Sequence, residues 1–111
     1  MNEPKNSVSF VIPVYNAARY LENCLKSIRA QNYPQDNVEI IIADGGSSDE
    51  TLKICERFSC KVLSNPKRLA EYGVQLGIGN AEGNYIVIFA ADNELVGSDW
   101  ISKVINIFHQ D

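Results

Sequence analysis

The sequence predicts a single α/β domain whose mostly parallel sheet is covered by helices on both faces. Four short apolar runs rich in β-branched residues alternate along the chain with segments whose apolar residues recur at helical spacing. Regular alternation of strands and helices favours parallel pairing through right-handed crossovers. The length of 111 residues suits one domain and is too short for two.

The first predicted strand covers residues 7–12, where the run VSFVI is ended by Pro13. Because nearly the whole run is apolar, we expect this strand to be buried on both faces. A helix over residues 17–30 follows, and Asn16 is expected to cap it. The apolar stripe of this helix consists of Leu21, Cys24, Leu25 and Ile28.

The second predicted strand covers residues 38–43, VEIIIA, and leads into the loop DGGSS. Ser48 or Asp49 is expected to cap the next helix, because either side chain can accept the free N–H groups of a first turn. This helix reaches about residue 59. Its inward-facing residues are predicted to be Leu52, Cys55 and Phe58.

Two further strands and two further helices complete the pattern. The strands are predicted over residues 60–63 and 85–89, the second of which reads YIVIF. The helix between them, over residues 69–81, is predicted to be weak because it contains three glycines. Ser98 or Asp99 is expected to cap the last helix. The inward-facing residues of that helix are predicted to be Ile101, Val104, Ile105 and Phe108.

Composition excludes several classes of protein. A net charge of −4 without a clustered basic face argues against nucleic-acid binding. The three cysteines form no CxxC pair, which argues against a disulfide framework or a zinc site and favours a reducing compartment. The sequence shows neither a signal-peptide pattern nor an apolar run of ~18 residues. We therefore expect a cytoplasmic protein or, at full length, one at the inner face of the membrane.

The polar side chains with the most chemical potential follow the predicted strands. In an open α/β sheet, ligands bind outside the carboxyl ends of the strands. Asp44 and Asp92 follow different strands and therefore reach the same edge, and Tyr15 follows the first strand. Each carboxylate alone could stabilise a turn. Together with the aromatic ring, they suit a ligand with a planar base and a metal-bound phosphate.

Glycine-rich phosphate-binding motifs are absent from the sequence. It contains neither G-x-x-x-x-G-K-[ST] nor a G-x-G-x-x-G after the first strand. A diphosphate would then need a divalent cation, and Mg²⁺ or Mn²⁺ can be held by one or two carboxylates together with phosphate oxygens and water.

Four segments in order resemble glycosyltransferase family 2, which has the GT-A fold. VSFVIPVYNAARYLENCLKSI resembles the opening strand, the P-x-Y-N turn and the following helix of that family. VEIIIADGGSSDET resembles the second signature of that family. Its segment G-I-x-x-A-x-G-x-Y-I is resembled by Gly77-Ile78, Ala81, Gly83 and the run YIVIF that begins at Tyr85. AADNEL followed by DW resembles the D-x-D region and the tryptophan beyond it. The resemblance extends over residues 8–108, nearly the whole chain.

The resemblance implies roles for the residues at the matching positions. Tyr15 would lie beside a nucleoside base, Asp44 would accept a hydrogen bond from a base N–H, typically of uracil, and Asp92 would hold the metal on the diphosphate. The family often has Arg-Asn or Leu-Asn before its G-I pair, where this chain has Val74-Gln75. Arg68 or Lys67 would supply the positive charge instead, unless the two residues only form an exposed basic loop. The full set of residues expected to bind substrate is Pro13, Val14, Tyr15, Asn16, Asp44, Gly45, Arg68 and Ala91, with Asp92 as the metal ligand.

The resemblance also implies a reaction and a limit. Family members typically transfer a sugar from a nucleoside diphosphate to an acceptor hydroxyl with inversion, and the metal stabilises the departing diphosphate. The catalytic base belongs to the acceptor-binding half, so we expect it beyond Asp111 and assign no catalytic residue here. The chain is thus expected to be the nucleotide-sugar-binding part, residues 1–111, of a longer enzyme. By itself it should transfer no sugar.

The acceptor is expected to be a saccharide or a lipid-linked saccharide. The chain alone is expected to self-associate through the apolar edge of its fourth strand, or else to be only marginally stable.

Two alternatives remain open. Ala90 stands where the family has the first carboxylate of D-x-D, which would suit a degenerate module that binds its ligand without metal. A sugar-1-phosphate nucleotidyltransferase is the other alternative, although such enzymes usually carry a basic, glycine-rich loop after the first strand.

Overall fold

The computed structural model describes residues 6–109, which form four strands, four α-helices and one short 3₁₀ turn. In chain order the elements are β1 Val8–Val14, α1 Ala18–Arg29, the 3₁₀ turn Gln35–Asn37, β2 Val38–Asp44, α2 Thr51–Arg57, β3 Lys61–Ser64, α3 Ala70–Asn80, β4 Tyr85–Ile88 and α4 Trp100–Phe108. The described strands pair in parallel in the order β3-β2-β1-β4. The predicted α/β class with a parallel sheet is confirmed.

Strand β1 continues through Pro13 to Val14, two residues further than predicted. The carbonyl of Val11 accepts a hydrogen bond from Phe89 on the β4 side, so Pro13, two residues later, faces the same side. Strand β4 has already ended at Ile88, which pairs with Val11. The missing N–H of proline therefore costs no ladder hydrogen bond, and the strand is not interrupted.

Helices cover both faces of the sheet, as predicted. Helices α1, α2 and α4 bury their apolar stripes against one face, where Phe10 and Ile12 of β1 are completely buried. Helix α3 packs on the other face, against Val11 and Ala43. Both faces of the central strands β1 and β2 are thus excluded from solvent, which explains their nearly continuous apolar sequence.

The glycines of α3 explain how this helix lies so close to the sheet. A Cβ added to Gly77 would lie 2.3 Å from Cγ1 of Val11, and one added to Gly73 would lie 3.0 Å from Cβ of Ala43. Helix α3 therefore forms despite its low intrinsic propensity, because the glycines allow its backbone to pack directly on β1 and β2.

The predicted cap of α1 is wrong. Asn16 has a positive φ of 49°, and the N-cap residue is Ala17. Ala17 N donates a hydrogen bond to Thr51 Oγ1 at 2.8 Å, and Ala18 N donates to Asp49 Oδ2 at 3.2 Å. The first turn of α1 is therefore satisfied by side chains that are distant in sequence, a solution that a local capping pattern does not reveal.

Helix α2 also begins later than its predicted caps indicate. Its N-cap residue is Glu50, while Asp49 Oδ1 accepts a hydrogen bond from Thr51 N at 2.9 Å in an Asx turn before the helix. Leu52 was expected to face the core but is 41% exposed. The buried face of this seven-residue helix is formed instead by Thr51, Ile54 and Cys55.

The remaining differences lie at the ends of elements. Helix α4 has Asp99 at its N-cap position, but within residues 6–109 the Asp99 side chain makes no capping hydrogen bond. Phe108 was predicted to face inward, yet it is 63% exposed and its ring lies 5.2 Å from that of Tyr85. Strand β3 is shifted by one residue from its prediction, and β4 ends one residue earlier, as is usual for element boundaries.

Candidate functional site

The candidate site is a groove at the carboxyl edge of the sheet, where the strand order reverses between β1 and β4. Such a reversal is the position at which open α/β sheets bind ligands, because the connections on its two sides diverge. A cavity of about 290 Å³ lies there between the end of β1 and the β4–α4 loop. Its walls include Tyr15, Tyr20, Ala90, Ala91 and Asp92.

A second cavity of about 140 Å³ adjoins the first on the β3 side. Tyr15 and Ala70 line both cavities, and Asn65 and Arg68 line the second. The two cavities are therefore parts of one groove that runs across the end of β1, which we call the rim groove. Pro13 and Val14 form its floor at the end of β1.

Arg68 joins the loops that follow three strands. Its guanidinium carbon lies 4.2 Å from the centroid of the Tyr15 ring, and its Nε donates a hydrogen bond to the Gly45 carbonyl at 2.9 Å. A Cβ on Gly45 would lie 2.7 Å from Cγ of Arg68, so the close approach requires glycine. The stacked pair offers a flat aromatic surface and a positive charge at one end of the rim groove.

Asp44 is held by its own loop. Its carboxylate accepts a hydrogen bond from Ser47 Oγ at 2.6 Å and from the backbone N–H groups of Gly46 and Ser47 at 3.0 and 3.1 Å. The residue is 7% exposed. These three donors use most of the acceptor capacity of a carboxylate, so Asp44 can offer at most one further site to a ligand.

Asn16 connects the loops after β1 and β2. Its N–H donates to Ser47 Oγ at 2.8 Å, and its side-chain Oδ1 accepts from Ser48 N at 2.8 Å. Of the described residues, those lining the two cavities do not include Asn16 or Asp44. Both lie at the predicted edge of the sheet, but their polar atoms face a neighbouring loop.

The β4–α4 loop provides a carboxylate at the other end of the rim groove. Asp92 is exposed and lines the larger cavity, together with Ala90 and Ala91. Burial raises the pKa of Cys24 beneath this loop to about 12, and the charges of Glu94 and Asp92 add to the effect. The Cys24 thiol donates to the Ala90 carbonyl at 3.8 Å. This part of the site therefore carries negative charge.

Asp92 fits a divalent cation as a single protein ligand. Among residues 6–109 no three potential metal-binding side chains gather at one point. Mg²⁺ commonly binds through one or two carboxylates, with phosphate oxygens and water completing its coordination. One accessible carboxylate beside a cavity is sufficient for that kind of site.

Two residues of the rim groove were not among the residues expected to bind substrate. Asn65 is 2% exposed, and within the described chain its Oδ1 has no hydrogen-bond partner, although its Nδ2 donates to the Leu69 carbonyl at 3.0 Å. A buried acceptor without a donor is costly unless a ligand or water satisfies it. Tyr20 lines the larger cavity and is 41% exposed. Neither property leaves a pattern in the sequence.

A membrane-spanning helix is absent from the part of the chain that the structure describes, since no helix there combines the necessary length and apolarity.

Comparison with known proteins gives the chain a family. Residues 9–111 match the family described as Glycosyl transferase family 2. A dolichyl N-acetyl-alpha-D-glucosaminyl phosphate 3-beta-D-2,3-diacetamido-2,3-dideoxy-beta-D-glucuronosyltransferase of Methanococcus voltae is 37% identical over 93 residues, which cover 78% of this chain and 29% of that protein. An uncharacterised glycosyltransferase of Rickettsia prowazekii is 38% identical over 105 residues, which cover 93% of this chain and 32% of the relative.

Solved structures agree in fold. The crystal structure of S. aureus TarS residues 1–349 superposes with a TM-score of 0.87 at 21% identity, covering 93% of this chain and 32% of that one. The mannosyltransferase PcManGT of Pyrobaculum calidifontis, solved with GDP-Man and Mn²⁺, superposes with a TM-score of 0.85 at 23% identity, covering 97% and 34%. The chain thus spans about a third of the length of these proteins. By the extent of its sequence match and by its fold, the chain belongs to glycosyl transferase family 2.

Proposed function

We propose that this chain is the nucleotide-sugar-binding part of an inverting glycosyltransferase, and that it binds a UDP-sugar together with a divalent metal. The observation that carries the proposal is the rim groove, which has a stacked Tyr15–Arg68 pair at one end and Asp92 at the other. A nucleoside diphosphate has the matching order of parts, a flat base followed by a charged diphosphate.

Different residues at the rim groove bind different parts of the nucleotide sugar. Tyr15 provides the surface against which the base packs, and Asn65 Oδ1 is available to accept a hydrogen bond from a hydroxyl of the ligand. Asp44, which lines neither cavity but is 7% exposed, accepts the single N–H of the uracil base through the one site that its loop leaves available. Arg68 adds an exposed positive charge at the base end of the groove, which favours the approach of an anionic donor as a whole.

Asp92 would hold Mg²⁺ or Mn²⁺ on the diphosphate. When bound, the metal would neutralise the charge that develops on the departing nucleoside diphosphate. Asp92 would contribute by holding the diphosphate end of the donor, through the metal, at the β4–α4 loop. The general base that deprotonates the acceptor hydroxyl is placed by this proposal in the acceptor-binding part of a longer protein.

Related proteins support the choice of donor and acceptor. TarS has been crystallised with UDP-GlcNAc, at 23% identity to this chain, and PcManGT with GDP-Man and Mn²⁺. The name of the Methanococcus relative describes a dolichyl-phosphate-linked sugar as its acceptor. We propose by analogy a saccharide or lipid-linked saccharide acceptor and a role in cell-envelope polysaccharide synthesis, in the cytoplasm or at the inner membrane face.

Titration calorimetry with UDP tests the donor and metal assignments. UDP should bind more tightly with Mn²⁺ than with excess chelator, and Asp92→Ala should abolish the difference. Asp36→Ala is the matched control, because Asp36 is exposed and lies in the 3₁₀ turn outside the rim groove. It should behave like the unsubstituted chain. Absence of UDP binding under all conditions would refute the proposal.

The same assay examines base recognition. Asp44→Asn should weaken UDP binding by about 1–3 kcal/mol, the usual cost of a lost buried hydrogen bond. Unchanged affinity in a folded Asp44→Asn protein would place the base elsewhere in the groove.

A metal-independent binding module is the second candidate function, and Ala90 favours it. Ala90 is exposed beside the larger cavity and offers no carboxylate there. Equal UDP affinity with Mn²⁺ and with chelator, unaffected by Asp92→Ala, would establish this alternative and exclude the metal role.

A further inference from the structure

Cys55 and Cys60 lie on the two sides of the C-terminal end of α2. Ser59 between them has a left-handed φ of 57°. Cys60 N donates to the Cys55 carbonyl at 3.1 Å, and Ser59 N donates to the Glu56 carbonyl at 3.1 Å. These two hydrogen bonds define a Schellman motif, in which the side chains of the first and last residues meet.

The geometry of this motif brings the Cα atoms of the two cysteines into the range that a disulfide can join. The hydrogen bond from Cys60 N to the Cys55 carbonyl limits the separation of the two Cα atoms to about 7 Å. Disulfides usually join Cα atoms about 4.4–6.8 Å apart. Interaction with the Cys55 thiol, together with burial, raises the pKa of Cys60, and the same interaction lowers the pKa of Cys55.

Arg29 of α1 holds the same segment in place. Its Nε donates to the Phe58 carbonyl at 3.0 Å and its Nη2 donates to the Ser59 carbonyl at 3.2 Å. The guanidinium charge offsets only part of the rise in the pKa of Cys60 that the Cys55 thiol and burial cause. Arg29 thus binds two of the carbonyl groups in the turn between the two cysteines.

The two cysteines differ in their exposure to solvent. Cys55 is completely buried, whereas Cys60 is partly exposed. An external oxidant therefore reaches Cys60 before Cys55. The third cysteine, Cys24, is completely buried on α1, and its thiol is hydrogen-bonded to the Ala90 carbonyl.

We propose that Cys55 and Cys60 form a redox-active pair that low-molecular-weight disulfides, such as oxidised glutathione, convert to an intrachain disulfide. Cys60, after losing its proton to solvent, attacks one sulfur of oxidised glutathione, and a first glutathione leaves as a thiolate that takes up a proton. The Cys55 thiolate then attacks the Cys60 sulfur of the mixed disulfide, and a second glutathione leaves. The protein loses two electrons and two protons, and oxidised glutathione gains them as two thiols.

This site is separate from the rim groove. The pair lies where α2 leads into β3, at the amino end of β3, whereas the groove begins beyond the carboxyl end of that strand. The proposal does not depend on the proposed function, and UDP binding is not needed to test it.

Mass spectrometry of the native protein after exposure to oxidised glutathione and alkylation tests the proposal. We expect the loss of two hydrogen atoms from the intact mass. Trypsin cleaves after Lys53, Arg57 and Lys61, so the disulfide would join two tryptic peptides, ICER and FSCK. Reduction should separate them.

Single substitutions assign the linkage. Cys24→Ser is the matched control and should still yield the ICER–FSCK pair. Cys60→Ser should yield no cross-linked peptide, and it is the decisive variant because its site is partly exposed and circular dichroism can verify that it folds. A stable glutathione adduct on Cys60, a cross-link through Cys24, or no oxidation at all would each overturn the proposal.

Discussion

Replacing Gly77 by alanine would place a methyl group against the central strand of the sheet. The new Cβ would lie 2.3 Å from Cγ1, 3.1 Å from Cγ2 and 3.2 Å from Cβ of Val11. Favourable carbon contacts lie at about 3.5–4.0 Å. Val11 is completely buried and β-branched, so it has few alternative rotamers with which to move away.

The magnitude follows from two opposing terms. Overpacking of a well-packed core costs about 1–3 kcal/mol. Removing a glycine from a helix interior returns roughly 0.5–1 kcal/mol. Because the contact falls more than 1 Å short of normal packing, we expect the first term to dominate, with a net loss of about 1–2 kcal/mol in the free energy of unfolding. For a domain of this size each kcal/mol corresponds to a shift in Tm of about 4–8 °C.

Gly79 supplies a matched control in the same helix. Among the described residues nothing lies within 4 Å of a Cβ added there, so Gly79→Ala should stabilise the protein by about 0.5–1 kcal/mol. Urea unfolding followed by far-UV circular dichroism measures both variants. A Gly77→Ala protein as stable as Gly79→Ala would refute the close packing of α3 on β1.

Three further outcomes are expected. Ser59→Gly should raise the free energy of unfolding by up to about 1 kcal/mol, because glycine adopts the left-handed conformation without strain; a loss in urea unfolding would contradict this. Hydrogen bonding, chiefly from the Thr51 hydroxyl, lowers the pKa of Asp49 in the folded protein. The stability that the Asp49 carboxylate gives to the fold is therefore present above the unfolded-state pKa of this residue and is lost as the pH falls through its folded-state pKa. Asp49→Asn should remove that part of the acid dependence, and an identical pH profile would exclude it. The chain alone should self-associate in sedimentation experiments. Ile88→Lys should reduce the self-association, because Ile88 is 50% exposed on the edge strand β4. A monomer at all concentrations would show that the exposed edge of β4 does not cause association.

The strands and the sheet class could be predicted because apolar β-branched runs are a local property of the sequence. It was harder to predict which residues of the short helices are buried. Leu52 and Phe108 share the apolar character of a core residue, but in helices of seven and nine residues the buried face depends on how each helix is rotated on the sheet. That rotation is decided by tertiary packing, which helical periodicity does not record.

The candidate site, too, could be predicted only in part from the sequence. The rule that ligands bind beyond strand ends identified the edge that carries Tyr15, Arg68, Ala91 and Asp92, and the structure lines one groove with them. Asn16 was expected on the groove as well. Its side chain instead bonds to Ser48, 32 residues away, and no local pattern could have predicted that contact.

The dependence of α1 on distant side chains has a consequence for the order of folding. The N–H groups of Ala17 and Ala18 are satisfied by Thr51 and Asp49, which lie 34 and 31 residues later. During synthesis, a nascent chain that has emerged only through α1 would have to leave these groups to water. The first strand and helix should therefore fray until the Asp49–Thr51 segment has left the ribosome. We expect this part of the domain to fold as one cooperative unit, without a stable N-terminal intermediate.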